Sequence, residues 1–238
     1  MFRLTAAAVT ALSLALPAAA QQMDEAALRA LILETIRTNP EIVMEAIEIL
    51  QTRENEAQAQ AAAQALEAQK GALHNDPNAP VMGNPDGDVT IVEFFDYNCG
   101  YCRRVFPSVK ELIAGDDNIR VVMREWPILG EESVFAARAA LASRKQGKYA
   151  EFHDALMANE GRASQANVLS IADDLGMDIT QLQADMAGPE VDAHIATSRQ
   201  LTQALGLNGT PAFVFGDQLV PGAIELNQMQ QLIEQLRS

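Results

Sequence analysis

The chain has 238 residues, 48% of them hydrophobic, which is enough for one α/β domain with an appendage. Its 32 acidic and 17 basic residues give a net charge of −15, which excludes nucleic acid and anionic membrane surfaces as partners. A zinc centre needs about four ligands, and His74, His153 and His194 are scattered, with no second close-spaced pair to join the only two cysteines.

The first twenty residues read as a secretory leader. Arg3 supplies the positive charge, Leu4 to Leu16 an apolar run, and Ala18-Ala19-Ala20 an A-x-A cleavage pattern before Gln21. The run is too short for a stable bilayer anchor, although an uncleaved anchor is the alternative. Removing Arg3 leaves a mature chain with a net charge of −16.

Residues 24 to 38 carry Leu28, Leu31, Ile32 and Ile36 at helical spacing. Asn39-Pro40 ends that helix and starts another, with Asn39 as N-cap and Pro40 at the first helical position. Val43, Ala46, Ile47 and Leu50 continue an apolar stripe, and from Glu54 to Leu73 the chain turns Ala/Gln-rich with almost no large apolar residue. A helix from Pro40 to Leu73 would run about 50 Å. It has little to bury, so residues 21 to 73 are expected to form a stalk whose first helices self-associate into a dimer or trimer; folding back onto the main domain is the alternative. His74 to Asp88 reads as a linker and entry loop.

The main domain is expected over residues 74 to 238. Ile91 to Phe95 is a β-branched and aromatic run, and Arg103 to Ile113 has helical spacing. Between them lies Cys99-Gly100-Tyr101-Cys102, which puts Cys99 at a helix N-terminus. Unpaired N–H groups and the helix dipole favour a thiolate there, and a thiolate is a nucleophile. Cys102 lies on the same face, too near in sequence for a bridge that constrains much chain. The pair therefore reads as redox-active, against a structural bridge or half a metal site. One cysteine pair in an oxidising compartment suits exchange with the thiols of other proteins.

Further strands are expected at Ile119 to Trp126 and Ala212 to Phe215, the last turning at Gly216-Asp217 into Gln218 to Val220. Glu131 to Leu205 reads helical, and Ile224 to Leu236 closes the chain as an amphipathic helix.

Val92 to Cys102, the helical block and Gly209-Thr210-Pro211-Ala212-Phe213 together resemble the DsbA-like branch of the thioredoxin superfamily, across residues 80 to 238. Residues 24 to 73 resemble the N-terminal helical element of ScsC-type and Com1-type members in position and composition. The resemblance implies an α/β thioredoxin fold with a helical insertion over about 128 to 205. It also implies a periplasmic thiol–disulfide oxidoreductase acting on protein thiols and disulfides without a cofactor or metal.

The same resemblance assigns roles. Cys99 would attack, Cys102 would resolve, and Pro211 would be a cis-proline facing them, leaving the Thr210 backbone to pair with substrate; alone, Thr210-Pro211 is an ordinary loop entering a strand. Glu93 would be the buried acid beneath the disulfide, its pKa raised by desolvation, against a solvent-facing residue of an alternating strand. Arg103 and Arg104 either favour the thiolate or form a solvated helix face. Gly100-Tyr101 lacks the histidine of strongly oxidising members and matches DsbC-type isomerases, so these two residues would contact substrate and set a milder potential. Isomerase or reductase is the expected activity, with a DsbA-like oxidase as the alternative and a copper-binding or holdase protein as the alternative from another class. A DsbD-like or DsbB-like membrane partner would set the direction.

Overall fold

The computed structural model describes residues 24–238, so the expected leader lies outside the described residues. Internal contacts divide the chain after Glu54.

The first unit holds α1 (Glu25–Thr38) and the start of α2 (Glu41–His74). No residue of α1 is buried, and Leu28, Leu31, Ile32, Ile36, Val43, Ile47 and Leu50 all stand exposed.

The second unit is built on five strands in the order β1-β3-β2-β4-β5. They are β1 (Val81–Gly83), β2 (Val89–Phe95), β3 (Ile119–Glu125), β4 (Ala212–Phe215) and β5 (Gln218–Pro221). β2 runs parallel to β3 through the crossover helix α3 (Gly100–Gly115), and the other neighbours are antiparallel. β2 sits centrally, so both its faces are covered and its pattern reads as a nearly unbroken apolar run. At the β4–β5 turn Gly216 takes φ 60°, a conformation that costs glycine no steric penalty.

Alternation along the strands sorts the core into two layers. Ile91, Phe95, Val121, Met123, Phe213 and Phe215 face α3 and the closing helix α9 (Leu226–Arg237). Val92, Phe94, Val122 and Val214 face the other side, where Leu201 and Leu205 pack with Leu66 and Leu73. Between β3 and β4 stand five helices: α4 (Glu131–Ser143), α5 (Tyr149–Ala158), α6 (Gln165–Asp174), α7 (Ile179–Asp185) and α8 (Pro189–Ala204). Residues of α4 to α7 join the core layer that holds Phe95 and Phe213, and Leu201 of α8 joins the opposite layer.

Two sequence expectations change. The end of α2 is no free stalk: Leu66 and Leu73 are buried against the sheet. Two β3 cations secure it, because Arg120 donates to the His74 carbonyl at 2.8 Å while buried Arg124 donates to the Ala72 carbonyl and pairs with Asp76 at 2.6 Å. Cations at a helix C-terminus satisfy its orphan carbonyls and complement its dipole. The expected linker also contains a strand, since Val81–Gly83 pairs with Arg120–Val122.

Candidate functional site

The site forms where β2 ends and α3 begins. Asp96 organises the turn, its carboxylate accepting from the backbone N–H groups of Asn98 at 2.7 Å, Ile128 at 2.8 Å and Leu129 at 3.0 Å. Its carbonyl accepts from the Cys99 N–H at 3.0 Å, which brings Cys99 to the N-cap of α3. The N–H groups of Tyr101 and Cys102 are then free to face the Cys99 sulfur.

Both cysteines are in the dithiol form, and their environments separate them sharply. Cys99 is held down at about 5, first by a hydrogen bond from the Cys102 thiol, then by the Thr210 side chain and the backbone N–H groups of Cys102 and Tyr101. Partial desolvation opposes ionisation, as does the 3.2 Å contact in which the neutral Cys99 thiol donates to the Thr210 carbonyl. Cys102, in the first turn of α3, is buried and pushed far upward, by desolvation first and then by its bond to Cys99 and the charge of Glu93. One sulfur is ionised at neutral pH and the other keeps its proton.

Glu93 lies buried on β2, on the sheet face that also carries Ile91 and Phe95. The solvent-facing alternative is thus excluded for this residue. Desolvation pushes its carboxyl up to about 8, so it exchanges a proton in the range where thiol chemistry runs.

The Thr210–Pro211 peptide is cis, and its carbonyl contact with Cys99 places this loop against the reactive sulfur. Tyr101 stands 60% exposed with the Arg104 guanidinium 5.0 Å from its ring centroid, and Gly100 opens α3 beside it. The structure therefore gathers Cys99, Gly100, Tyr101, Cys102, Thr210 and Pro211 at one site, with Tyr101 and Gly100 exposed and Cys102 and Glu93 buried.

Sequence reading missed two contributors and misassigned a third. Asp96 is one, and its Asx-turn position two residues before Asn98 was the available signal. Asn98 is another, donating to the Ser133 hydroxyl and accepting from the Ala163 N–H, so it ties the turn to the helical insertion. Arg103 is the third: Nε donates to the Tyr97 carbonyl at 2.9 Å and a terminal nitrogen to the Gly161 carbonyl at 2.6 Å. It is a half-buried clamp, so the solvated-face reading holds for Arg104 and fails for Arg103. Behind the turn the Tyr97 hydroxyl meets His153 Nδ1 at 3.0 Å, the imidazole being held down at about 4 by burial. Among the described residues no three His, Cys, Asp or Glu side chains cluster as metal ligands.

Comparison with known proteins agrees with this geometry. Residues 90–234 match the DSBA-like thioredoxin domain, and residues 24–57 match the copper resistance protein ScsC N-terminal domain. A thioredoxin-like oxidoreductase from Silicibacter pomeroyi is 60% identical, with 70% of this chain and 96% of that one covered and a TM-score of 0.69. A linker-deletion mutant of Proteus mirabilis ScsC is 26% identical over 93% of this chain and 98% of its own, with a TM-score of 0.71. Among curated relatives, a Na(+)/H(+) antiporter NhaA from Salinispora arenicola is 33% identical over 135 residues, 56% of this chain and 21% of that protein. The chain thus spans about a fifth of the length of the curated relatives it first matches. The family match over residues 90–234 spans more than half the sequence, and so the chain belongs to the DSBA-like thioredoxin domain family.

Proposed function

We propose that the protein is a periplasmic thiol–disulfide oxidoreductase for protein substrates, working chiefly as an isomerase or reductase. The observation that carries this reading is the split between the two sulfurs, an ionised Cys99 next to a Cys102 that keeps its proton.

The Cys99 thiolate attacks a substrate disulfide; a Cys99–substrate bond forms, the substrate bond breaks, and one substrate sulfur leaves as thiolate. Thr210, Gly100 and Tyr101 contact the substrate at this stage, and Pro211 holds the loop. In reduction, Cys102 passes its proton to Glu93 and attacks Cys99, releasing the second substrate thiolate and leaving the Cys99–Cys102 disulfide. The substrate gains two electrons and the protein loses two. In isomerisation a substrate thiolate attacks the mixed disulfide instead, Cys99 departs as thiolate, and no net oxidation occurs. A pKa of about 5 falls between the roughly 7 of thioredoxin and 3.5 of DsbA, which supports an intermediate potential.

Self-association through α1 and the start of α2 would support the isomerase side. The apolar stripe of α1 and early α2 is exposed, and an unburied stripe of that kind marks an interaction site. A dimer or trimer would present several reduced sites to one substrate. Export by the leader and rereduction by a DsbD-like membrane donor complete the reading. The acidity of Cys99, which stabilises the reduced dithiol, favours a second reading as a DsbA-like oxidase recharged by a DsbB-like partner.

Two measurements test this. The reduction potential should fall between about −270 and −120 mV, and the reduced protein should refold a scrambled-disulfide substrate. A potential near the oxidising end with no refolding would select the oxidase, and inert thiols would remove the oxidoreductase reading altogether.

A further inference from the structure

A groove of about 1070 Å³ opens beside the reactive sulfur. Tyr101, Thr210 and Pro211 form the end nearest Cys99, and the loop after α8 forms one side. Its other side is α2, through Asn55, Gln58, Ala59 and Ala62. These stand at i, i+3, i+4 and i+7, so they share one helix face.

Leu66 and Leu73 continue that same face, the step of 18 positions from Asn55 to Leu73 making about five whole turns. The stripe changes chemistry along its length. Where it meets the sheet it is leucine and buried; where it meets the groove it is carboxamide and alanine. Large apolar residues would close the groove, and the chain places none on the α2 wall.

The groove also contains no charged residue. In a chain that is 21% charged with a net of −15, the groove is a neutral stretch free of Asp, Glu, Lys and Arg. Asn55 and Gln58 face the groove from α2, and Gln203 and Asn208 from the opposite side. Carboxamides both donate and accept, so they match the alternating N–H and C=O groups of an extended peptide without reading side-chain charge. Neutral walls likewise impose no repulsion on acidic substrates that this acidic protein would otherwise turn away.

We infer that Asn55, Gln58, Ala59 and Ala62 of α2 are specificity-determining residues, forming a second wall that admits an extended, unfolded polypeptide segment around its disulfide. The inference rests on the thiol–disulfide reading above and adds to that site a specificity wall contributed by α2. The cis Thr210–Pro211 loop and the carboxamides of α2 both line the groove, so an extended chain segment seated there meets backbone-matching groups from each.

The test compares kcat/KM for a scrambled ribonuclease and for oxidised glutathione in the full-length protein, because glutathione reaches Cys99 without filling the groove. Ala59→Trp narrows the slot and should lower the ribonuclease-to-glutathione ratio about tenfold, mostly through KM. Ala57→Trp, 200° away from Asn55 on the same helix, should leave the ratio at its wild-type value. Gln58→Glu should raise KM for an acidic disulfide peptide relative to a basic one, a preference the wild type lacks. An unchanged ratio in Ala59→Trp, whether both substrates keep their rates or lose them together, overturns the inference. Failure of the wild-type protein to reduce either substrate would instead overturn the oxidoreductase reading.

Discussion

Cys99 and Cys102 differ by what surrounds each sulfur, and that difference sets the pH response of the site. Iodoacetamide should alkylate Cys99 with a midpoint near pH 5 while Cys102 stays unmodified in the folded protein. The folded pKa of Cys99 lies below its ordinary value of 9.0, so the stabilisation of the reduced form is complete above that value and fades as pH falls through about 5. Urea titration should therefore show the stability gap between reduced and oxidised protein shrinking from pH 7 to pH 4. Glu93 has the opposite sign: its folded pKa of about 8 lies above the ordinary 4.5, so the native state binds the extra proton and loses stability as pH rises across that window. Glu93→Gln removes that loss and should be more stable than wild type at pH 9, while slowing resolution of the mixed disulfide about a hundredfold if Glu93 is the base. Equal resolution rates in stopped-flow would leave Glu93 a structural residue. The cysteines were legible because their spacing and flanking periodicity carry the chemistry. Arg103 and Arg104 were not separable in sequence, since adjacent helical residues point 100° apart and only the fold decides which one meets the Tyr97 loop.

At the level of elements, long periodic segments were readable and short or composition-poor ones were not. β2, α3, β3 and the β4–β5 hairpin stand where alternation and helical spacing put them. β1 escaped because three residues after a proline, the last of them a glycine, hold too little pattern, and its pairing depends on Arg120–Val122 far along the chain. The second half of α2 misled for a related reason: two leucines among alanines and glutamines look solvated until the sheet that buries them is present. Leu73, 1% exposed, is therefore a core residue, and Leu73→Ala should lower unfolding stability by about 2–5 kcal/mol in urea. Asp76→Ala should cost about 3 kcal/mol, because Arg124 is then buried without its carboxylate. A cut made after residue 73 would remove Leu66 and Leu73 together, so any truncation meant to isolate the oxidoreductase unit belongs at Glu54.

For the whole molecule, the division after Glu54 lets assembly and chemistry be separated experimentally. Residues 24–54 carry most of the exposed large apolar side chains together with seven acidic and three basic residues. Association driven by the stripe must overcome like-charge repulsion, which salt screens with a Debye length of about 30 Å at 0.01 M and about 8 Å at 0.15 M. Sedimentation should therefore show a dimer or trimer that tightens as salt rises across that range, and removal of residues 21–54 should give a monomer at both. The thiolate of Cys99 draws on Cys102, Tyr101 and Thr210, all in the second unit, so the truncated monomer should keep its alkylation midpoint and its rate with oxidised glutathione. Refolding of a scrambled substrate should fall about tenfold, since rearrangement gains from several reduced sites held at high effective concentration while a single exchange does not. A truncated monomer that refolds the scrambled substrate as fast as the full chain would detach isomerisation from assembly, and a full chain that sediments as a monomer would leave the apolar stripe to some other partner.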